Sequence, residues 1–232
     1  KFVNFNILNQ VRTQFMDVIT NEDISLHCIL GNHDVYYRNT NMVNSIRELF
    51  NNDLKLYEQP EVVNFDGLDI ALLPWVNKEN QNESIDFIKN AAAPILIGHL
   101  ELHGYDVMRG VRFDGGMDAN ILDRYEKVLS GHFHCRQESG NVYYMGTQYQ
   151  ITFADLNETK GFHVLDTETR EIEFIENPYK MFHTLNYNDS DGPIELTESL
   201  EHFKDSYLKI FVESKKHPYS FDRFMDKLYE AG

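Results

Sequence analysis

Ile24-Ser25-Leu26-His27-Cys28-Ile29-Leu30-Gly31-Asn32-His33-Asp34 carries a short apolar run straight into a Gly-Asn-His-Asp turn. A run this short and rich in Ile and Leu reads as a buried strand, and glycine after it lets the backbone turn sharply. Polar side chains just beyond a strand's carboxyl end lie where α/β folds place their ligands. The pattern recurs twice: Pro94-Ile95-Leu96-Ile97 leads into Gly98-His99, and Lys127-Val128-Leu129-Ser130 leads into Gly131-His132-Phe133-His134. Three strand ends delivering asparagine and histidine to one sheet edge predict a metal site. Neutral imidazole and amide oxygen suit Mn²⁺, Fe²⁺ and Zn²⁺, which makes Asn32, His99, His132 and His134 the candidate ligands. His33 lies beside Asn32 but is less well placed for the same ion, so it is available as a proton donor or phosphate contact. The i, i+2 spacing of His132 and His134 puts both imidazoles on one side of an extended chain. They would serve two neighbouring ions, or one would bind while the other supports it. Two divalent ions roughly 3.5–4 Å apart can hold a water nucleophile against a phosphodiester.

Outward from these turns the chain alternates elements. Apolar residues at Phe5, Leu8, Val11, Phe15, Val18 and Ile19 have helical spacing and predict a helix over 5–19. A second short helix is expected over 42–50 and a surface helix over 79–90. Strands are expected over 54–57 and 62–65, with Asp66-Gly67 a two-residue hairpin signal into a strand over 68–75. The glycine-rich segment 103–118 reads as loop, and 120–125 as a short helix. Strands over 141–146, 160–166 and 171–175 dominate thereafter. The acidic, turn-rich cluster at 188–193 predicts a boundary, followed by a strand over 207–212 and an amphipathic helix over 220–229.

With 232 residues the chain is long enough for one substantial core, or one core plus a smaller appendage. A net charge of −16 argues against nucleic-acid binding through a basic surface. It does not exclude an enzyme that grips phosphate through a divalent metal, because the ion is then the largest local positive charge. No apolar run approaches the roughly 20 residues of a membrane helix, and Lys1-Phe2-Val3-Asn4 does not read as a secretory signal. Two distant cysteines, Cys28 and Cys135, fit a reduced cytosolic setting better than a disulfide framework. Cys135 is expected as a small buried hydrophobe rather than a metal contact. His27, His163, His183, His202 and His217 lack the strand-end context and are read as structural. Glu101 and His103 alternate with His99, which leaves His103 between a loop residue and a substrate or metal contact.

Gly-Asn-His-Asp, Gly-His and Gly-His-Phe-His, in that order, resemble the later half of the calcineurin-like metallophosphoesterase signature. The stretches 26–34, 98–104, 128–134 and 160–169 are similar to the SbcD and Mre-eleven family of DNA-repair nuclease subunits, most of all to its phage recombination endonuclease members. The resemblance covers roughly residues 1–180. It implies an α/β fold, a metallophosphoesterase-type sandwich of two mixed β-sheets flanked by helices. The nuclease domain would span 1–187, and 188–232 would be the start of a small α/β capping domain. Asn32, His99 and His132 would hold the second metal and His134 the first, with His33 and Asp34 as the catalytic residues. The family uses Mn²⁺, with Mg²⁺ supporting less. Its partners are DNA, an SMC-like ABC ATPase of the SbcC type and a second copy of the nuclease chain, in the cytoplasm (the host's, for a phage protein). The family's Asp-x-His and Gly-Asp-x-x-Asp motifs, which supply most of the first metal's ligands, have no counterpart here. The expectation is therefore a chain beginning after the second motif, with an open sheet edge, weak metal binding and little activity alone. Alternative readings are another metallophosphoesterase (a phosphatase or cyclic-nucleotide phosphodiesterase) and a non-catalytic scaffold.

Overall fold

Residues 2–50, 53–194 and 199–231 are described by the computed structural model. They divide into two compact units, Lys1–Gly146 with Leu165–Glu173, and Thr147–Val164 with Phe174–Gly232.

In the first unit the predicted N-terminal helix forms as α1 (Phe5–Val11), a π-helical turn (Arg12–Met16) and α2 (Asp17–Asn21). Asn4 caps it: its Oδ1 accepts from the amides of Asn6 and Ile7. The apolar stripe does not face a core here. Met16 is buried, whereas Phe5, Phe15 and Val18 are exposed. The wide π turn splits the stripe, so the helical spacing seen in sequence does not make one continuous face.

Strand β1 (His27–Ile29) pairs in parallel with β2 (Lys55–Tyr57), and α3 (Ser45–Phe50) precedes β2. The hairpin of β3 (Glu61–Phe65) and β4 (Leu68–Leu73) turns where expected, with φ of 50° at Asp66 and 92° at Gly67. Positive φ at both central positions is what a type I′ hairpin turn requires. After α4 (Gln81–Asn90) come β5 (Ile95–Gly98), the small hairpin β6 (Asp106–Met108) and β7 (Val111–Arg112), then β8 (Lys127–Ser130), β9 (Gln137–Ser139) and β10 (Val142–Tyr144). The β6–β7 hairpin sits in the segment read as loop, because its four glycines outweigh the short apolar alternation.

One six-stranded sheet runs β3-β4-β5-β8-β10-β9; its four inner strands are parallel and both edges antiparallel. Both faces are covered, as continuous apolar runs require. On one face Ala71, Leu73, Leu96 and Val128 pack with Ile88 of α4 and with Leu122. On the other, Ile70, Leu72 and Ile95 pack with Tyr57 of β2 and Ile29 of β1. The β1–β2 pair is thus the second layer of the expected sandwich, two strands wide among the described residues. Each fully buried aliphatic side chain contributes roughly 1.5–3 kcal/mol. No disulfide joins Cys28 and Cys135, and burial, with the Asp34 charge nearby, pushes the Cys28 thiol up to about 11.

The second unit contains β11 (Gly161–Leu165) paired with β12 (Ile172–Glu176), whose tip belongs to the first unit. It also holds β13 (Phe182–Asn188), parallel to β14 (Tyr207–Ser214), and α5 (Pro218–Ala231). The division expected after residue 187 falls at the last residue but one of β13, which is paired along its length with β14. The turn-rich cluster is tied into this unit by side-chain bonds. Asp189 is fully buried, and its carboxylate accepts from the amides of Lys216 (2.6 Å) and His217 (2.7 Å) and from the hydroxyls of Ser214 (3.0 Å) and Tyr187 (3.1 Å). An aspartate that reads as surface in sequence is the keystone of this fold element. Lys160, also buried, is enclosed by Asp155 (3.0 Å) and Glu158 (2.7 Å).

Candidate metal centre

The three turns meet because their strands are locked together by backbone bonds. Trp75 N–H donates to the Leu30 carbonyl (2.7 Å), His99 N–H to Leu73 (3.3 Å) and Gly131 N–H to Gly98 (3.0 Å). The glycines serve close approach. A Cβ at Gly31 would sit 2.8 Å from His99 Cε1, and one at Gly131 would sit 3.2 Å from His99 Nδ1. Gly31 has no positive φ, so its absence of a side chain, rather than the turn, is what the site uses.

Inside this cradle His99 Nε2 stands 2.9 Å from Asn32 Oδ1 and 3.2 Å from His132 Nδ1. Neighbouring ligands bonded at about 2.1 Å to an octahedral or tetrahedral cation lie roughly 3.0–3.4 Å apart. An oxygen and two imidazole nitrogens at this spacing fit a divalent ion of the Mn²⁺ or Zn²⁺ kind. Among the described residues no three side chains drawn from His, Cys, Asp and Glu form such a group; the convergence is of one asparagine with two histidines.

Electrostatics favour the ligand form. Burial, then the nearby His132 and His33, lowers His99 to about 4. Burial lowers His132 as well, opposed by the Glu101 carboxylate. Both rings are therefore neutral near pH 7, and a metal-binding imidazole must be neutral.

His33 is exposed next to Asn32. Asp34 closes the turn that presents both, its Oδ2 accepting from Gly31 N–H at 2.7 Å and its carbonyl from Ser45 N–H at 2.9 Å. Phe133 is buried against Phe113 and Tyr144, which anchors the His132-Phe133-His134 turn. His134 is half-buried and acts electrostatically on His132, as does His33. That turn is bent rather than extended, with φ of 84° at His132. A non-glycine residue there is strained, and such strain gathers at functional sites. His103 bonds the Asp114 carbonyl from the loop (3.1 Å).

Two residues of this centre carried no prediction. Glu101 Oε1 is 3.0 Å from His132 Nε2. Trp75 stacks on His132, with ring centroids 5.5 Å apart and planes at 30°, and meets His99 edge-on at 6.0 Å. The sequence did hold a signal for each. Glu101 follows His99 at a same-face interval, and Trp75 ends a fourth apolar strand. A cavity of about 360 Å³ opens beside them, bordered by His99, Lys78, Gln81 and Met117.

A mixed α/β sandwich with asparagine and histidines past its strand ends is a metallophosphoesterase-like arrangement. The chain is 39% identical over 166 residues to exonuclease subunit 1 of Enterobacteria phage T4, across 71% of this chain and 49% of that protein. It is also 30% identical over 123 residues to the SbcD subunit of the SbcCD nuclease of Staphylococcus epidermidis (44% of this chain, 32% of the relative). To the SbcD subunit of Staphylococcus saprophyticus it is 24% identical over 136 residues (53% and 35%). This chain is a relative of the SbcD-like nuclease subunits. It matches about half the length of the phage relative and about a third of each bacterial one. No protein-family model matches it. Among the described residues no helix is long and apolar enough to cross a membrane.

Proposed function

We propose that this chain is the nuclease subunit of a DNA recombination and double-strand-break repair complex. Asn32, His99 and His132 hold one Mn²⁺ ion, with Mg²⁺ as a weaker substitute, and His134 contributes to a second. The observation that carries this reading is the convergence of Asn32 Oδ1, His99 Nε2 and His132 Nδ1. Kinship with an exonuclease subunit and with SbcD subunits of SbcCD nucleases supports DNA as the substrate.

When bound, such ions supply positive charge to a phosphodiester and acidify water as its nucleophile. The chain's own residues do the rest. Gly31 and Gly131, lacking side chains, leave the space that the His99 ring fills, and burial keeps both imidazoles neutral. His33, exposed beside Asn32, gives a proton to the leaving oxygen. Asp34 acts through the turn it closes rather than on the phosphate. Lys78, which lines the 360 Å³ cavity, offers a cation to a strand entering there. With a net charge of −16, most of the affinity for DNA comes from the ions and from partners: an SMC-like ABC ATPase of the SbcC type and a second copy of the chain. The setting is the cytoplasm, the host's if the chain is phage-encoded. Three ligands for one ion and one for the other predict that these 232 residues alone bind metal weakly and cut little.

Two measurements test the reading. Mn²⁺ titration should show affinity lost in His99→Ala and His132→Ala but kept in His33→Ala; unchanged binding in the first two would overturn the site. With the ATPase partner, Mn²⁺ and a nuclease subunit whose first-metal ligands are complete, a duplex with a 3′ end should be degraded, and His33→Ala should abolish cutting. Hydrolysis of a small chromogenic phosphodiester with no cutting of DNA would replace the nuclease by a phosphatase or cyclic phosphodiesterase.

A further inference from the structure

We propose that Glu101 is a positioning residue for His132, fixing its tautomer, and that Trp75 fixes the plane of the same ring. The inference rests on the reading of His132 as a metal ligand.

The chemistry follows from which nitrogen carries the proton. Glu101 Oε1 lies 3.0 Å from His132 Nε2, and a carboxylate can only accept. The imidazole proton is therefore held on Nε2, and Nδ1 is left as a lone pair facing His99 Nε2 and the Asn32 side of the centre. A carboxylate behind a ligating histidine also raises its basicity as a donor. With the other tautomer, Nδ1–H would point into the site and block it.

Both positioning groups are themselves held. The glycine-rich segment, which had no evident role, clamps Glu101 by its backbone. Met117 N–H donates to the Glu101 carbonyl (2.8 Å), and Leu102 bridges to Met117. Gly116 (φ 84°) passes so close to that carbonyl that a Cβ would fall 2.4 Å from its oxygen. Trp75 is pinned through its main chain, which donates to Leu30. Its carbonyl accepts from the side-chain amides of Asn41 (3.1 Å) and Asn80 (3.0 Å). Asn77, buried between them, donates to Asn41 Oδ1 (2.9 Å). His132 itself sits at φ 84°, an unfavourable angle that needs such external restraint. A carboxylate on its edge and an indole on its face, each carried on hydrogen-bonded backbone, supply that restraint.

The test uses the whole chain and reads two quantities. Side-chain ¹⁵N NMR of the chelator-treated protein reports the His132 tautomer, and Mn²⁺ titration reports affinity. Glu101→Ala should shift His132 away from the Nε2–H form and weaken Mn²⁺ about 10- to 100-fold. Glu101→Gln, which keeps an acceptor, should restore the tautomer and most of the affinity. Trp75→Leu should leave the tautomer alone and weaken Mn²⁺ several-fold. An unchanged tautomer in Glu101→Ala overturns the proposal, and unchanged affinity in Trp75→Leu removes Trp75 from it. Failure of the underlying reading looks different: His132→Ala would then bind Mn²⁺ as well as the parent, whatever the tautomer does.

Discussion

The Asn32–His99–His132 cluster and the Asp189 cluster are both made of polar groups withdrawn from water, and they are completed in different ways. Asp189 offers an acceptor and receives four donors. Burial alone would raise its pKa, yet the amides of His217 and Lys216 with the Ser214 and Tyr187 hydroxyls hold it at about 2. The histidine cluster has more lone pairs than protons. With the His132 proton held on Nε2 by Glu101, as proposed, Asn32 Oδ1 and His132 Nδ1 both turn lone pairs toward the one nitrogen His99 Nε2. A cluster that serves structure closes on itself, because each unmet buried group costs about 1–3 kcal/mol. A cluster built for a ligand would keep acceptors in surplus and tolerate strain, the pattern seen at His132. The lesson for reading structures is to count donors against acceptors before assigning a role.

The comparison breaks first at its structural end. Lys160 closes the second unit's other polar cluster, and Lys160→Ala leaves buried Asp155 and half-buried Glu158 without their cation. A loss of about 3–5 kcal/mol is expected in denaturant unfolding followed by circular dichroism. The next largest effect separates the clusters by acid. His99 titrates at about 4 in the folded chain against about 6.5 unfolded, so the unfolded state binds the extra proton between those values. Stability from this group is complete above about pH 6.5 and drains as pH falls toward 4, by at most about 1.4 kcal/mol per pH unit. Asp189 has the opposite charge type and a lower window. Its contribution is present above the unfolded carboxylate value and drains as pH falls toward 2. Trp75 is the only tryptophan and lies against both histidines, so its fluorescence follows the first unit. In chelator its unfolding should weaken first, between pH 6.5 and 4, and His99→Gln should reduce that phase, with the remainder due to His132.

Legibility in sequence followed the same division. The strand-end histidines could be read because apolar runs and glycines mark where strands stop, and Asp66-Gly67 because φ > 0 narrows the residue choice. What escaped depended on contacts far apart in the chain. Trp75 and Glu101 gain meaning only once β4, β5 and β8 stand side by side. Strand β13 was missed since Phe182-His183-Thr184-Leu185-Asn186-Tyr187-Asn188 mixes polar and apolar residues, and its pairing with β14 decides its form. Asp189 reads as part of a boundary because acidic, Gly-Pro-bounded turns often mark one. Only its donors, supplied from 214–217, reveal otherwise. The stripe on α1 and α2 was legible as a helix but not as exposed.

Smaller effects sharpen the comparison at the metal centre. Gly31→Ala forces a methyl to 2.8 Å from the His99 ring. Overpacking of this kind costs about 1–3 kcal/mol, and Mn²⁺ affinity should fall with it because the ring must turn off Asn32.

The smallest effect is the most specific. Alanine ordinarily beats glycine in stability, since glycine has more freedom to lose on folding. At residue 132 the order should invert: φ of 84° costs an L-residue about 1–2 kcal/mol and costs glycine almost nothing. His132→Gly should therefore be more stable than His132→Ala by about 1 kcal/mol in Trp75-monitored unfolding. Both variants lose the same ligand and the same contacts to Glu101 and Trp75, so their difference isolates the backbone. Alanine as the more stable of the two would mean that the strain at His132 is absent, and with it the argument that this turn is held open for a ligand. Glycine as the more stable would mean that folding energy is spent here to aim one imidazole, which nothing around Asp189 requires.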